Sequence, residues 1–597
     1  MAYVFINSFK EGIDARRNKI SGRQGSLISG SNVHINRGGE IEKRKAFVAI
    51  GDLPSGITFG LHATKFGIYT FGSTPAIQVP VPANVIYQQL VAPGTPAMTE
   101  VVSVDSFNSV PYVVARFDNG GVHHFYNGKR VTDWDILSPK ISNLTTLCES
   151  MRDMLDTDSK VSATYAKISG VHTITITAEQ PNTKVSINTS VQNITGRLFN
   201  TIAVTITQAA SATLAQTAKI EISGINVSTS LPSEEVDAAD VWAVNIGGQK
   251  LYKFSGASSG VGSSAKTFRG KIYATVQGLL YYCGILTPER WTPTYTNAAG
   301  QKVDTFAGFE SLSAQTGGTE NLVVTAPYQN FLACFARRST QIWQVVPGDP
   351  VDNQPQQILE NVGTMAARSA ISFGELDVFF LSDSGIRSLR ARDSSNAATV
   401  FDVGTSIDPV VVRHLSAVGD SVAVKACGVI EPQDGRYMLA IGNLIFVYSF
   451  YPASKISAWT TYDPGFSVTD WAVYGNLLYC RAGDTIYALG GTSGENYDDC
   501  LAEVELSWLD AEKPGHKKGF KGIDVSCQGT WDIGYSVDPF APGYAAAGSV
   551  SDQNFSLPHF RLSGHGTHIG FKFSSQDPGP VGISSVCVHF DFQDPPR

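Results

Sequence analysis

Five stretches between Arg269 and Gly491 read almost alike, and that repetition limits the fold more than any other feature of the chain. Arg269–Cys283, Tyr328–Val345, Phe373–Arg390, Asp434–Phe450 and Tyr474–Gly490 each carry a Gly or Asn turn, a short apolar-aromatic run, a polar turn and a second run. Gly, Asn and Asp supply the positive-φ positions of tight turns, so the pattern predicts consecutive β-hairpins. Trp291 follows the first of these stretches and Trp459 the fourth. Small antiparallel units repeated in this way predict a β-propeller, which protects its sheet edges by wrapping round. A stacked sandwich is the competing arrangement of the same hairpins.

At 597 residues the chain exceeds one core, and about 150 residues per domain suggests roughly four domains. Charged residues make up only 16%, which fits either large β cores or a subunit that hides surface in an assembly. The net charge of −8 excludes a nucleic-acid binder held by phosphate neutralisation over its whole surface. Charge is uneven, however: residues 1–45 hold nine Lys/Arg and four Asp/Glu, leaving the remainder at −13. A basic stretch on an acidic body suggests docking on something else. The eight cysteines are scattered and form no C-x-x-C, which predicts buried free thiols folded under reducing conditions. The first residues lack the order of a signal peptide, and no apolar run approaches the length of a membrane span. The expectation is a soluble chain made in the cytoplasm and not inserted in a membrane.

Along the chain, residues 1–56 read as a docking arm and short platform strands, and 57–130 as the first propeller hairpins. Thr74–Pro96 holds five prolines and reads as an irregular connector, while Asp118-Asn119-Gly120-Gly121 marks a hairpin turn. Aromatic content then falls, and 131–240 reads as an inserted α+β domain. Its helix places Leu144, Leu147, Met151, Met154 and Leu155 on one face, with Ser142 or Asn143 as N-cap. Alternating Thr/Ile strands follow, the acidic run Ser233–Asp237 closes the insert, and Trp242 returns the hairpin style. Residues 241–492 complete the propeller, and 493–597 read as a C-terminal β-sandwich-like platform domain.

Several local patterns imitate catalytic motifs. Gly256-Ala257-Ser258-Ser259-Gly260 matches a nucleophile elbow, but the Gly- and Ser-rich residues after it cannot begin the required helix. Ala265-Lys266-Thr267 lacks the glycine of a phosphate loop. His565 with His568, and His123 with His124, sit at spacings that diverge on a strand, and Asp133 and Asp135 read as a solvated pair flanking a buried Trp134 rather than an acid/base couple. No catalytic residues, metal ligands or cofactor are therefore predicted, and no enzyme activity. Two kinds of basic cluster remain, each readable as a solvated loop or as a docking surface. Arg16, Arg17 and Lys19, with Lys43, Arg44 and Lys45, are candidates for partner docking. Lys513, Lys517, Lys518 and Lys521 form a candidate DNA-channel or interface turn.

Taken together, several phrases carry a family resemblance. They are Gly30–Phe47 with Asn32, Gly38-Gly39 and Lys43-Arg44; Val113–Gly128; Phe379–Ile386; Asp434–Ala440 with Ile456–Tyr462; and Leu506–Gly522. In these the chain resembles the tail nozzle proteins (tail tubular protein B-like) of short-tailed bacteriophages. The resemblance implies a structural virion protein: a homo-oligomer, a hexameric ring, with a propeller in each subunit and genome DNA passing through its lumen. It further implies an adaptor protein above, tail fibres or spikes as partners, and a place in the virion tail. The alternative from another class is a propeller that binds a receptor or degrades a glycan in a tail fibre or spike, marked by carboxylates and aromatics converging on one face.

Overall fold

The computed structural model describes residues 2–137, 144–156, 161–178, 185–188, 201–209, 216–223, 243–246, 249–253, 264–276, 278–312, 320–374, 377–391, 398–540, 543–553 and 560–593. Tight turns set the local structure. Arg269 and Gly270 have φ of 47° and 74°, Gly475 and Asn476 of 57° and 61°. Two consecutive positive φ values match the twist of a hairpin, and Gly and Asn tolerate them best. The molecule is mainly β, with 53% strand and 8% helix.

Seven small sheets follow one another among the described residues. The first runs from Phe59–Thr64 to Val85–Gln89 and the second from Met98–Phe107 to Lys129–Arg130. The third begins at Ala265–Phe268 and ends at Gly308–Ser311, and the fourth spans Leu322–Tyr328 to Gln354–Glu360. The fifth spans Ile371–Phe373 to Ala398–Phe401, the sixth Cys427–Ile430 to Ile456–Tyr462. In the seventh, Asp470–Tyr474, Leu477–Ala482 and Thr485–Leu489 are joined by Phe47–Asp52 from the other end of the chain, with Leu489 opposite Phe47 and Thr485 opposite Asp52.

Each sheet packs on the next along the chain, and Asp470–Tyr474 of the seventh lies against Phe59–Thr64 of the first. A separate apolar layer fills most of these gaps. Phe71 and Leu90 meet Val113 and Phe117 between the first two sheets, and Leu61 and Ile68 meet Tyr479 and Ile486 between the last and the first. Sheets sandwiched in this way are buried on both faces. Tyr437–Ile441, Leu279–Tyr282 and Asp377–Ser382 are accordingly buried at every position. This is why the strands read as continuous apolar runs, and it supplies one cause of the low charge content.

The two chain ends build a second region together. One sheet sets Val33–Ile35 and Ile41–Lys43 beside Gly582–Phe592 and Lys518–Gln528, with Ala2–Ile6 on Gly582–Phe592. The other extends the sixth small sheet through Leu27–Ser31 into Ala502–Leu506, Gly570–Ser575, Thr530–Ser536 and Ala545–Ser551. Ile6, Leu27 and Val33 share one core with Val504, Phe520, Trp531, Phe573 and Val588. Residues 2–56 of the expected arm (1–56) are thus woven into the platform and the seventh sheet rather than projecting.

In the insert, helix Leu144–Asp156 covers a sheet ordered Val161–Ile168, Val171–Ala178, Thr217–Ser223, Thr201–Gln208. Ile174, Ile176 and Ile220 are buried, as are Cys148 and Leu155 of the helix. Ser142, Asn143, the Ser233–Asp237 run and Trp242 lie outside the described residues. The end at residue 240 needs correction. Val185–Asn188 pairs with Ala243–Ile246, which pairs with Gln249–Lys253, so the insert's pairing extends at least to Lys253. The connector Thr74–Pro96 also contains more order than its prolines suggest, because Val85–Gln89 is a strand.

Candidate docking and channel surfaces

The basic phrase near the N-terminus finds its counter-charge within the same chain. Asn36 Oδ1 accepts hydrogen bonds from the Gly38 and Glu40 N–H groups, which folds Val33–Ile35 onto Ile41–Lys43. The hairpin then faces the acidic turn Glu431–Asp434 of the sixth sheet. Arg37 Nε lies 3.8 Å from an Asp434 carboxylate oxygen, and Lys45 Nζ donates to Gln433 Oε1 at 2.8 Å. Arg44 is buried; Nε donates to Asn32 Oδ1 at 3.0 Å and Nη1 to Asp498 Oδ2 at 3.0 Å. Lys43 is also buried, with Nζ donating to the Asp498 and Asp577 carbonyls, each at 2.6 Å. Behind them His34 shares a 3.0 Å hydrogen bond with the Tyr462 hydroxyl, and burial lowers its pKa to about 4.

Lys43, Arg44 and Lys45 are therefore not a free docking surface: two are buried, and the half-buried Lys45 is held on Gln433. Arg44 pairs with the chain's own Asp498, and Lys43 and Lys45 are held by backbone carbonyls and the Gln433 amide. Only the basic half of this arrangement was legible in the sequence; the signal for the other half is the E-P-Q-D turn at Glu431–Asp434, set between two apolar strands. Lys43→Met should lower the unfolding free energy by about 2–4 kcal/mol, because two half-buried carbonyls lose a charged donor. Arg16→Ala should change it by less than about 0.5 kcal/mol. Urea denaturation of both variants checks the contrast, and equal effects would contradict it.

Arg16 and Arg17 do remain exposed, Arg17 with Nε 3.3 Å from Asp14. Lys19 Nζ stands 5.6 Å from the Trp508 ring centroid, and the Trp508 backbone N–H donates to the Lys19 carbonyl at 2.9 Å. Trp508 lies five residues before Lys513, so the two basic clusters share one region of the platform. In the second cluster Lys518 is fully buried and folds the turn on itself. Its Nζ donates to the carbonyls of Lys513, His516 and Thr567 at 2.6, 3.1 and 2.9 Å, and burial lowers its pKa. Lys518 is thereby removed from the candidate channel residues, while Lys513, Lys517 and Lys521 are exposed.

The catalytic imitations resolve into structure. Ser258 and its motif lie outside the described residues. The Thr267 N–H donates to an Asp105 carboxylate oxygen at 2.7 Å, within a strand. Asp133 Oδ2 accepts from the Trp291 N–H at 2.8 Å and the Thr292 hydroxyl at 3.2 Å, whereas Asp135 pairs with Arg130 at 2.6 Å. His124 is buried, stacks on Trp134 at 4.3 Å and shares a hydrogen bond with the Tyr112 hydroxyl at 2.8 Å. His568 shares one with the neighbouring Thr567 hydroxyl at 2.9 Å. Burial raises the pKa of Glu310 to about 7, the character of an acid catalyst, but its hydrogen-bond partners are Asn353 and Tyr282 rather than a second carboxyl. Among the described residues no group of three or more His, Cys, Asp or Glu is placed to hold a metal. All eight cysteines are free thiols. No helix among the described residues is long and apolar enough to cross a membrane.

Comparison with known proteins leaves the residues to speak for themselves. No protein-family model matches the chain, and no curated protein is significantly similar to it.

Proposed function

We propose that the chain is the subunit of a tail nozzle, a ring that conducts genome DNA, with a seven-bladed β-propeller standing on a platform built from both chain ends. The observation that carries this reading is the cyclic packing of seven small sheets, the last completed by Phe47–Asp52 and lying against the first. A strand from one end of the chain that completes a sheet from the other is how a propeller fastens its ring. The platform would form the collar that meets an adaptor above, with Arg16, Arg17 and Lys19 at the contact. Tail fibres or spikes would attach to the same assembly. The protein acts by shape and charge rather than by catalysis, and its place is the virion tail.

The charge suits a conduit. DNA must slide without sticking, and each neutralised phosphate strengthens binding through counterion release. A net charge of −8 per chain gives about −48 for a ring of six, a field that repels DNA on average. Basic contact is then confined to a level carrying Lys513, Lys517 and Lys521. Duplex DNA should bind the purified protein only weakly at physiological salt, in the non-specific range of about 10⁻⁴–10⁻⁶ M. Titration with a labelled duplex over a salt series measures this. Tight binding with a steep salt slope, removed by neutralising those three lysines, would instead make the protein a DNA clamp.

A further inference from the structure

The first sheet differs from the other six. It has three strands where each of the others has four, and its outer strand Val85–Gln89 runs parallel to Gly67–Gly72. Among the described residues no strand pairs with the far side of Val85–Gln89, so the position of a fourth strand is open. Natural sheets guard such an edge with Lys, other charges or Pro. Here the guard is missing. The thirty-four residues Phe66–Thr99 contain no Asp, Glu, Lys, Arg or His, the longest such run in the chain, and the strand itself has no proline.

The surface beside this edge is apolar. Ile77 is 95% exposed, Phe66 57% and Ile86 38%. These side chains stand on neighbouring elements. Phe66 precedes Gly67, where an added Cβ would lie 2.9 Å from Ile86 Cδ1, and the turn Ala76–Gln78 packs on Val85–Gln89. Apolar groups exposed beside an open edge mark an interaction site.

We propose that this edge is a face on which a second copy of the chain packs. Charge selects the occupant. Chains that each carry −8 repel over most of their surface, and they can approach where one of them presents no acidic group and the nearest ion is a cation, Lys65 with Nζ 4.9 Å from the Phe66 ring centroid. Interface cores show the same depletion of charge. The open strand adds main-chain hydrogen bonds for an extended segment of the neighbour. The inference rests on the ring reading, since a ring needs a heterologous contact with two different faces, and this edge is one of them.

The test uses the full-length protein and sedimentation velocity. Wild type is compared with an Ile77→Asp/Ile86→Asp double variant, with Ile77→Asp alone, and with Ile168→Asp, which alters an exposed apolar residue of the insert. Wild type and Ile168→Asp should sediment as rings. The double variant should shift to monomer with an unchanged melting temperature, and the single variant carries the test if the double variant melts early. Rings that survive both Ile77→Asp and the double change would overturn the proposal and leave the ring reading standing. A wild type that is monomeric throughout would overturn both.

Discussion

Replacing Arg481 by Leu should lower the unfolding free energy by about 3–5 kcal/mol and loosen the first and seventh sheets together. Arg481 lies on Leu477–Ala482 of the seventh sheet, buried at 5% exposure. Its Nη2 donates to the Thr58 carbonyl at 2.7 Å and its Nη1 to the Gly60 carbonyl at 3.2 Å, both at the start of the first sheet. Its Nε donates to the Gly483 carbonyl at 2.8 Å, and Asp484 lies 3.4 Å away. Leucine fills much of the apolar stem but leaves the buried Thr58 carbonyl without this donor and removes the links to Gly60 and Gly483. The loss is read from urea denaturation, and its location from amide exchange. Faster exchange should appear in both Phe59–Gly72 and Leu477–Leu489. A loss below about 1 kcal/mol, or faster exchange in one sheet only, would contradict Arg481 as the tie between the ends of the array.

Acidification should destabilise the protein between pH 7 and 5. Burial lowers the pKa of His34 and His62 to about 4, and that of His124 in the same direction. Below the ordinary histidine value of 6.5 the unfolded chain takes up protons that the folded chain refuses, so stability falls with pH until the folded pKa is reached. His34 and His62 each cost about 2 kcal/mol by pH 5. Glu310 opposes them: with a folded pKa of about 7, it gains a proton in the folded state first and returns about 2 kcal/mol. His34 and His62 against Glu310 leave a net loss of about 2 kcal/mol, to which His124 adds in the same direction. His62 shares a 2.8 Å hydrogen bond with the Ser106 hydroxyl across the first and second sheets. His62→Gln should therefore remove about 2 kcal/mol of the pH dependence. Thermal melts at pH 7 and pH 5 check both statements. A flat profile, or the same slope in the variant, would contradict them.

What the sequence disclosed follows from how local its signals are. The hairpins were legible because pairs such as Gly475-Asn476 announce a backbone conformation that few residues accept. The grouping of strands into sheets was not, because the completing strand can come from elsewhere. Gly308–Ser311 returns to the third sheet after the Thr294–Asp304 hairpin, and Phe47–Asp52 reaches the seventh from the opposite end of the chain. Charge was legible as an excess in residues 1–45, while its destination was not. Lys43 and Arg44 carry the same letters whether they face a partner protein or the chain's own Asp498, and only the fold distinguishes them. The insert's end was missed for a related reason, since the fall in aromatic content does not reveal that Val185–Asn188 pairs with Ala243–Ile246.

Electron microscopy of the purified full-length protein tests the conduit most directly. Images should show closed rings of identical subunits around an open axial channel wide enough to pass duplex DNA. Each subunit should present a seven-bladed propeller joined to the platform. Separate single subunits, or an assembly whose axis is filled, would contradict the proposal that this chain forms a DNA-conducting nozzle.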